Sequence, residues 1–307
     1  MIRLVLSRTV NALLTLLIAV SIAFFLARSS GNPVRQILGD FASEEQVAQV
    51  SAQLGLDKPL LVQYGNFLWG LVRFDLGESL RYGQSNVELV ASRLPATVEL
   101  AFFALVIAVV IGVPLGILAA LRENSIVDRV ASAIALLGQS VPLFWLGLML
   151  VLVFAVRLGW LPAGQNDGPI SLILPAVTLS TLPMAQIARL TRSSMSEVLQ
   201  DEFVSAARAR GLASWRIVYV HALRSAALPV VTIVGLQIGM LFSGAVTVEF
   251  VFAWPGLGTL ATQAVQGRDF TLVQAIVVVG ALAFVVINLL VDLLYGVVDP
   301  RIREAAE

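Results

Sequence analysis

Six long apolar runs punctuate the chain, at about residues 10–27, 97–121, 130–156, 172–190, 228–250 and 273–297. A helix needs roughly 20 largely apolar residues to cross about 30 Å of hydrocarbon, and each run is close to that length or beyond it. Within them the apolar character is continuous rather than alternating, which predicts helices and argues against a transmembrane β-barrel. The second run is the cleanest, with Glu99 as its single charge. The fourth is interrupted by Pro175 and Pro183, which a membrane bundle tolerates because neighbouring helices re-satisfy the freed backbone groups. Arg3 and Arg8 precede the first run, a pattern shared with signal peptides. That run extends to Ala27, however, and Arg28-Ser29-Ser30 follows instead of a small-x-small site, so it is expected to stay as a span.

Composition agrees with this pattern. Hydrophobic residues make up 58% of the 307 and charged residues 13%, against roughly 25% charged in soluble domains. The mean hydropathy is +0.89. An integral membrane protein is expected. The 20 basic and 20 acidic side chains cancel, so no nucleic-acid partner is expected. Cysteine is absent and His221 is the sole histidine, which excludes disulfide scaffolds, iron–sulfur clusters and multi-His metal sites within the chain.

Orientation follows from the arginines and lysines of short loops. With the N-terminus inside, the inside segments hold Arg3, Arg8, Arg122, Arg129, Arg189, Arg192, Arg208, Arg210, Arg216, Arg224, Arg301 and Arg303. The two short outside loops hold only Arg157 and Arg268. Both termini are expected in the cytoplasm. The outside segment 28–95 reads as a small helical cap. Ser43-Glu44-Glu45-Gln46 has the spacing of a capping box opening a helix toward Leu56, and Asp57-Lys58-Pro59 breaks that run. The stretch 60–76, with Tyr64, Phe67, Trp69 and Phe74 among few charges, suits either a membrane–water interface or packing against the protein's own spans.

The inside segment 191–227 carries the most information. Residues 193–210 contain no Gly or Pro, Gly211 interrupts, and Ser214 is placed to N-cap a second helix running from Trp215 toward Ala227. Gly211 can take positive φ without a Cβ penalty. Phe203, Val204, Trp215, Ile217, Val218 and Tyr219 are apolar in a segment that should face water, so something must cover them.

The chemistry that is missing matters equally. A P-loop needs a lysine reaching the phosphates, and the only lysine is Lys58, outside and preceded by Asp57. Glu99, Glu249 and Asp292 lie near span ends without midplane partners and read as edge charges that reach water. This disfavours an ion-coupled carrier. His221 falls outside the bilayer, away from any serine at membrane depth, and so does not form a serine-protease site. Gln139, Ser140, Thr178, Ser180, Thr181, Gln237, Ser243, Thr247 and Asn288 are neutral polar groups within runs. They could line a passage or hydrogen-bond between helices.

Ser205-Ala206-Ala207 followed by Arg208 and then Gly211 resembles the E-A-A-x-x-x-G loop of ABC-importer permeases, with Ser205 in place of the leading Glu. Further stretches resemble the dipeptide, oligopeptide and nickel branch of that family. They are Leu54-Gly55-Leu56-Asp57-Lys58-Pro59-Leu60, Arg93-Leu94-Pro95-Ala96-Thr97, Leu158-Gly159-Trp160-Leu161-Pro162 and Trp254-Pro255-Gly256-Leu257-Gly258. The C-terminus, Asp292-Leu293-Leu294-Tyr295 with Asp299-Pro300-Arg301-Ile302-Arg303, does the same. Departures are Gly31-Asn32-Pro33 where the branch has P-G-D-P, and Ser225 where it has Asn after Leu223-Arg224.

The resemblance implies an all-α integral membrane protein with six transmembrane helices and the type I ABC-importer permease fold. Its parts would be a cytoplasmic end and first span (1–29), an extracytoplasmic helical segment (30–93), a permease core (94–298) and a cytoplasmic tail (299–307). It implies a non-catalytic subunit of the bacterial inner membrane, with ATP and Mg bound by two partner ATPases. A second homologous permease and an extracytoplasmic binding protein would complete the assembly. Ser205, Ala206, Ala207, Arg208, Gly211, His221 and Arg224 would then contact an ATPase. The cargo would be di- or oligopeptides, with nickel, glutathione or another small solute as alternatives.

Overall fold

The computed structural model describes residues 2–29, 34, 43–53, 55–79 and 81–298. The Gly31-Asn32-Pro33 stretch, Leu54 and the motif at 299–303 lie outside the described residues, as do the side chains of Arg3, Arg8, Asn288 and Asp292. In chain order the helices are α1 (Ile2–Ser29), α2 (Glu44–Gln53), α3 (Leu60–Val72), α4 (Asn86–Leu121), α5 (Ile126–Ser140), α6 (Leu143–Leu150), α7 (Ile173–Leu199), α8 (Glu202–Ala209), α9 (Ser214–Arg216), α10 (Leu223–Val251), α11 (Leu257–Gln266) and α12 (Phe270–Val298). A π-helical turn extends α6 through Val151–Arg157, and another, Ile217–Ala222, joins α9 to α10. Among the described residues the one β feature is an isolated bridge between Glu78 and Ser85.

Among the described residues, four helical stretches are long and apolar enough to cross a membrane: Asn86–Leu121, Pro169–Leu199, Ser214–Val251 and Phe270–Ile287. The first expected run falls in α1, which is 28 residues long. The third departs from expectation. Over 130–156 the helix is broken rather than straight: α5 and α6 meet at a bend of 106°. Pro142 is the cause: it has no N–H to donate, and it drives the preceding Val141 out of the α region to φ −83°, ψ 125°.

The chain forms two compact units. One comprises Ile2–Ala96 and Pro255–Val286. Its apolar centre joins Val90 of α4 to Leu257, Leu260 and Ala264 of α11 and to Leu272, Ala275 and Ile276 of α12. Asp269, almost wholly buried, ties this unit's polar connections together. Its carboxylate accepts from the Ser79 hydroxyl (2.5 Å), the Arg81 amide (3.2 Å), the Thr271 hydroxyl (2.9 Å) and the Leu272 amide (3.1 Å). The capping box is present as expected, with Ser43 N–H donating to Gln46 Oε1 (3.0 Å) and Gln46 N–H to Ser43 Oγ (3.2 Å).

The other unit runs over Thr97–Trp254 and from Ile287 onward. Its centre is α7, whose apolar window is 61% buried against 39% or less for the other three stretches. Small residues let neighbours close on α7: Gly112 and Gly116 of α4, Gly138 of α5 and Gly244 of α10 all approach its atoms. At Gly116 the fit is tightest, since an added Cβ would lie 2.5 Å from the Ala188 carbonyl oxygen and 2.5 Å from Thr191 Cβ. The five residues Gly112 to Gly116 form the small-xxx-small spacing that favours close membrane-helix crossings. Glu249 corrects a second expectation. It does not reach water but is fully buried, and the Thr97 hydroxyl donates to its Oε1 at 2.6 Å.

Candidate functional site

The loop between α7 and α10 is built on an apolar base. Ile117 and Ala120 from the end of α4, Met195 from α7, and Val218, Ala222 and Ala226 from the π turn and α10 form one buried cluster. Beside it, α7 is pinned to the start of α5. Arg192 grips Asp128 with both nitrogens, Nε to Oδ1 at 2.5 Å and Nη2 to Oδ2 at 2.8 Å. The Asp128 carboxylate also accepts from the Asn124 amide (3.0 Å) and the Ser132 hydroxyl (3.4 Å), while Ser125 Oγ caps the helix by accepting from the Asp128 amide (3.3 Å). Bidentate guanidinium–carboxylate pairs fix geometry as well as adding energy.

From this base α7 ends at Leu199, and Asp201, extended at φ −64°, ψ 150°, starts α8. The expected continuous helix over 193–210 is therefore two helices with a break at Gln200-Asp201. The break lets α8 turn so that Val204 is fully buried while Phe203, Ser205 and Ala206 face outward. Gly211 then ends α8. With φ +73° it lets its own amide donate to Arg208 O (2.9 Å) and the Leu212 amide donate to Ala207 O (3.2 Å). That pair of bonds is a Schellman motif, which a left-handed residue makes possible. Ala213, not Ser214, occupies the next N-cap, and no side chain caps it. Ser214 is the first helical residue, one position later than the cap its sequence suggested.

The apolar residues of the loop divide in two. Val204, Ile217 and Val218 turn inward and are buried. Phe203, Trp215 and Tyr219 stay exposed, joined by Leu212 and Val220, which the sequence reading did not single out. Trp215 is 58% exposed, with the Arg216 guanidinium 5.3 Å from its ring centroid. Ser205, Ala206, Arg208, Gly211, His221 and Arg224 are all exposed, and Ala207 is half-buried. The residues expected to contact an ATPase thus all lie in the segment from α8 to the start of α10, which also exposes these apolar side chains.

The candidate passage residues do not gather in this way. Thr178 is fully buried and donates to Leu174 O (2.8 Å), while Thr181 donates to Thr178 O (2.8 Å) and Ser180 to Val177 O (2.8 Å). Gln237 is buried, and its Nε2 donates to Gln186 Oε1 at 2.5 Å. Gln186 was missed from sequence because it sits just before the charged end of the fourth run. Ser140 donates to Leu136 O (2.9 Å), and Ser140, Ser243 and Thr247 are exposed. Gln139 lines a cavity of about 160 Å³ with Ser132, Arg189 and Arg192.

Comparison with known proteins gives this arrangement its context. The family model of the binding-protein-dependent transport system inner membrane component matches residues 112–304, and that of the N-terminal part of such membrane components matches 1–101. A dipeptide transport system permease protein, DppB, of Alkalihalophilus pseudofirmus is 43% identical over 89% of this chain and 90% of its own length. The DppB of Escherichia coli K12 is 41% identical over 91% of this chain and 92% of its own. Among solved structures, the inward-facing MetNI methionine ABC transporter superposes with a TM-score of 0.60 at 21% identity, covering 69% of this chain and 97% of that one. That likeness is one of fold. The matches to the two family models and to the DppB relatives span most of the sequence, and the chain belongs to the family of binding-protein-dependent transport system inner membrane components.

Proposed function

We propose that the chain is one permease subunit of an ATP-driven importer of di- or oligopeptides, lying in the bacterial cytoplasmic membrane with both termini inside. The cargo class rests on the dipeptide permeases at 41% and 43% identity. The orientation rests on the arginines gathered in 191–227 and near both ends. In this reading a second permease completes the passage, an extracytoplasmic binding protein delivers the peptide, and two ATPases hold ATP and Mg. The chain itself hydrolyses nothing.

The observation that carries the reading is the loop, where Phe203, Leu212, Trp215, Tyr219 and Val220 stand exposed on a base that is buried and tied by an ion pair. Covering such side chains contributes on the order of 1 kcal/mol each, enough for a docking surface. An ATPase closing on ATP would push this surface, and the helical stretch Ser214–Val251 would carry the displacement into the span. Ser205, Ala206, Ala207, Arg208, His221 and Arg224 lie in the same segment and would meet the ATPase.

Gly211→Val and Ala207→Glu test this. A Cβ at Gly211 meets nothing within 4 Å inside the chain, so the main internal cost is backbone strain at positive φ, roughly 1–2 kcal/mol. Ala207→Glu would place an unpaired charge in the contact. Both variants should reach the membrane at near-normal levels, lose peptide uptake and retain less ATPase on co-purification. Normal uptake and normal ATPase recovery in both would remove the loop from the mechanism.

A further inference from the structure

We propose that α3 lies embedded in the outer part of the bilayer leaflet at the C-terminal end of α1, with one face against lipid. The inference requires only that α1 spans the membrane, and it is independent of the cargo.

The geometry starts from where α3 touches α1. Tyr64 and Ser21 share a hydrogen bond of 2.6 Å between their hydroxyls. The Phe24 ring lies 5.3 Å from that of Tyr64 and 5.2 Å from that of Phe67, and Phe25 lies 5.5 Å from Tyr64. These contacts fall within the apolar part of α1, not beyond its end. Arg28, in the last turn of α1, is the cation that follows its apolar run, where a membrane boundary is expected, and its guanidinium lies 5.4 Å from the Phe24 ring centroid. Ser21 precedes Arg28 by seven residues, or about 10 Å along a helix at 1.5 Å per residue. The helix α3 therefore crosses α1 below that boundary, at a depth where water is scarce.

The composition of α3 fits that depth. Its 13 residues, Leu60–Val72, contain no charge, while Lys58 precedes it and Arg73 and Asp75 follow. Leu61, Gly65, Trp69 and Val72 recur at the i, i+4, i+8 and i+11 spacing of one helix face. Leu61 is 78% and Val72 is 72% exposed. The neighbouring α1 likewise exposes Leu14, Leu17, Ile18, Ile22 and Phe25. Among the described residues, neither of these exposed apolar surfaces includes a charge for a protein partner to meet. At the far end the Arg73 guanidinium lies 4.7 Å from the Trp69 ring centroid. An indole at headgroup level with a cation reaching past it is the arrangement of a membrane interface. Lipid is the occupant that this surface fits.

The chain contains no cysteine, so Leu61→Cys, Val72→Cys, Ile18→Cys and Arg216→Cys can each carry a nitroxide in the full transporter reconstituted in phospholipid nanodiscs. Collision with oxygen, which concentrates in lipid, and with a water-soluble nickel chelate are measured. The labels at 61 and 72 should match that at 18, with high oxygen and low nickel accessibility, and differ from that at 216. Nickel accessibility at 61 and 72 with a lipid-like label at 18 would overturn the proposal and place α3 in water. Exclusion from both reagents would overturn it in favour of a covering protein. A water-like label at 18 would remove the premise that α1 faces lipid, and the proposal with it.

Discussion

Three glycines separate close packing from backbone conformation, and Gly116→Ala should be the most damaging substitution of the three. Its Cβ would sit 2.5 Å from Ala188 O, 2.5 Å from Thr191 Cβ and 3.0 Å from Arg192 N. The first and last of these are backbone atoms of α7, so no side chain can swing aside. Restoring an ordinary contact of 3.4 Å or more requires α4 and α7 to separate by close to an ångström. Overpacking of this kind costs about 1–3 kcal/mol. Gly211→Ala meets nothing within 4 Å but holds φ +73°, so its cost should be smaller, about 1 kcal/mol. Gly280→Ala in α12 meets nothing within 4 Å and has no positive φ, so helix propensity alone should leave it neutral or stabilised by roughly 0.5–1 kcal/mol. The assay is the fraction of monodisperse protein surviving a temperature ramp in detergent. An unchanged midpoint for Gly116→Ala would refute the close crossing of α4 and α7, and with it the packing of the loop's base.

Other expectations follow from separate features. Asp128→Ala and Arg192→Ala should each lower the thermal midpoint, and the double variant should show a coupling energy of about 1–3 kcal/mol. It should fall toward the low end because the Arg192 side chain is 33% exposed; additive losses would mean that the pair does not hold α5 to α7. An impermeant thiol reagent applied to intact cells should label Trp160→Cys and spare Arg216→Cys, and the reverse pattern would invert the topology. The purified chain alone should show no saturable ATP binding, which equilibrium dialysis would detect if the absence of a P-loop lysine were misleading.

Much of the architecture is legible in the runs themselves, because a hydrocarbon core imposes a length on every crossing segment. Gly211 and the box at Ser43 are readable for a similar reason: each depends on a local rule with a fixed spacing. The α5–α6 bend was also written locally, in Pro142, but the apolar run continues across it and hides the break from a hydropathy pattern. Asp128 and Arg192 are 64 positions apart in sequence, so their pairing is a product of the fold. Only Ser125, three residues before Asp128, hinted at a helix start there. The burial of Glu249 follows from tertiary packing against Thr97, whereas a charge near the end of an apolar run reads equally well as solvated. The exposed apolar set of the loop was half legible, since hydropathy marks Trp215 and Val218 alike and only the helix phase decides which of them turns inward.

The union of α9, the π turn and α10 into one helical stretch of 38 residues, Ser214–Val251, has a consequence for how this protein can vary. No slack segment separates the exposed apolar side chains of the loop from the span, so loop and span share one rotational phase. Each α-helical residue turns the chain by about 100° and advances it by 1.5 Å. Inserting a single residue ahead of Pro229 would therefore leave Trp215 and Gln237 unable to keep both their settings: either Trp215 swings away from its outward face, or Gln237 rotates off Gln186. The same two contacts thus constrain the length of this connection, and related chains that keep both should carry no insertion or deletion between positions 214 and 237.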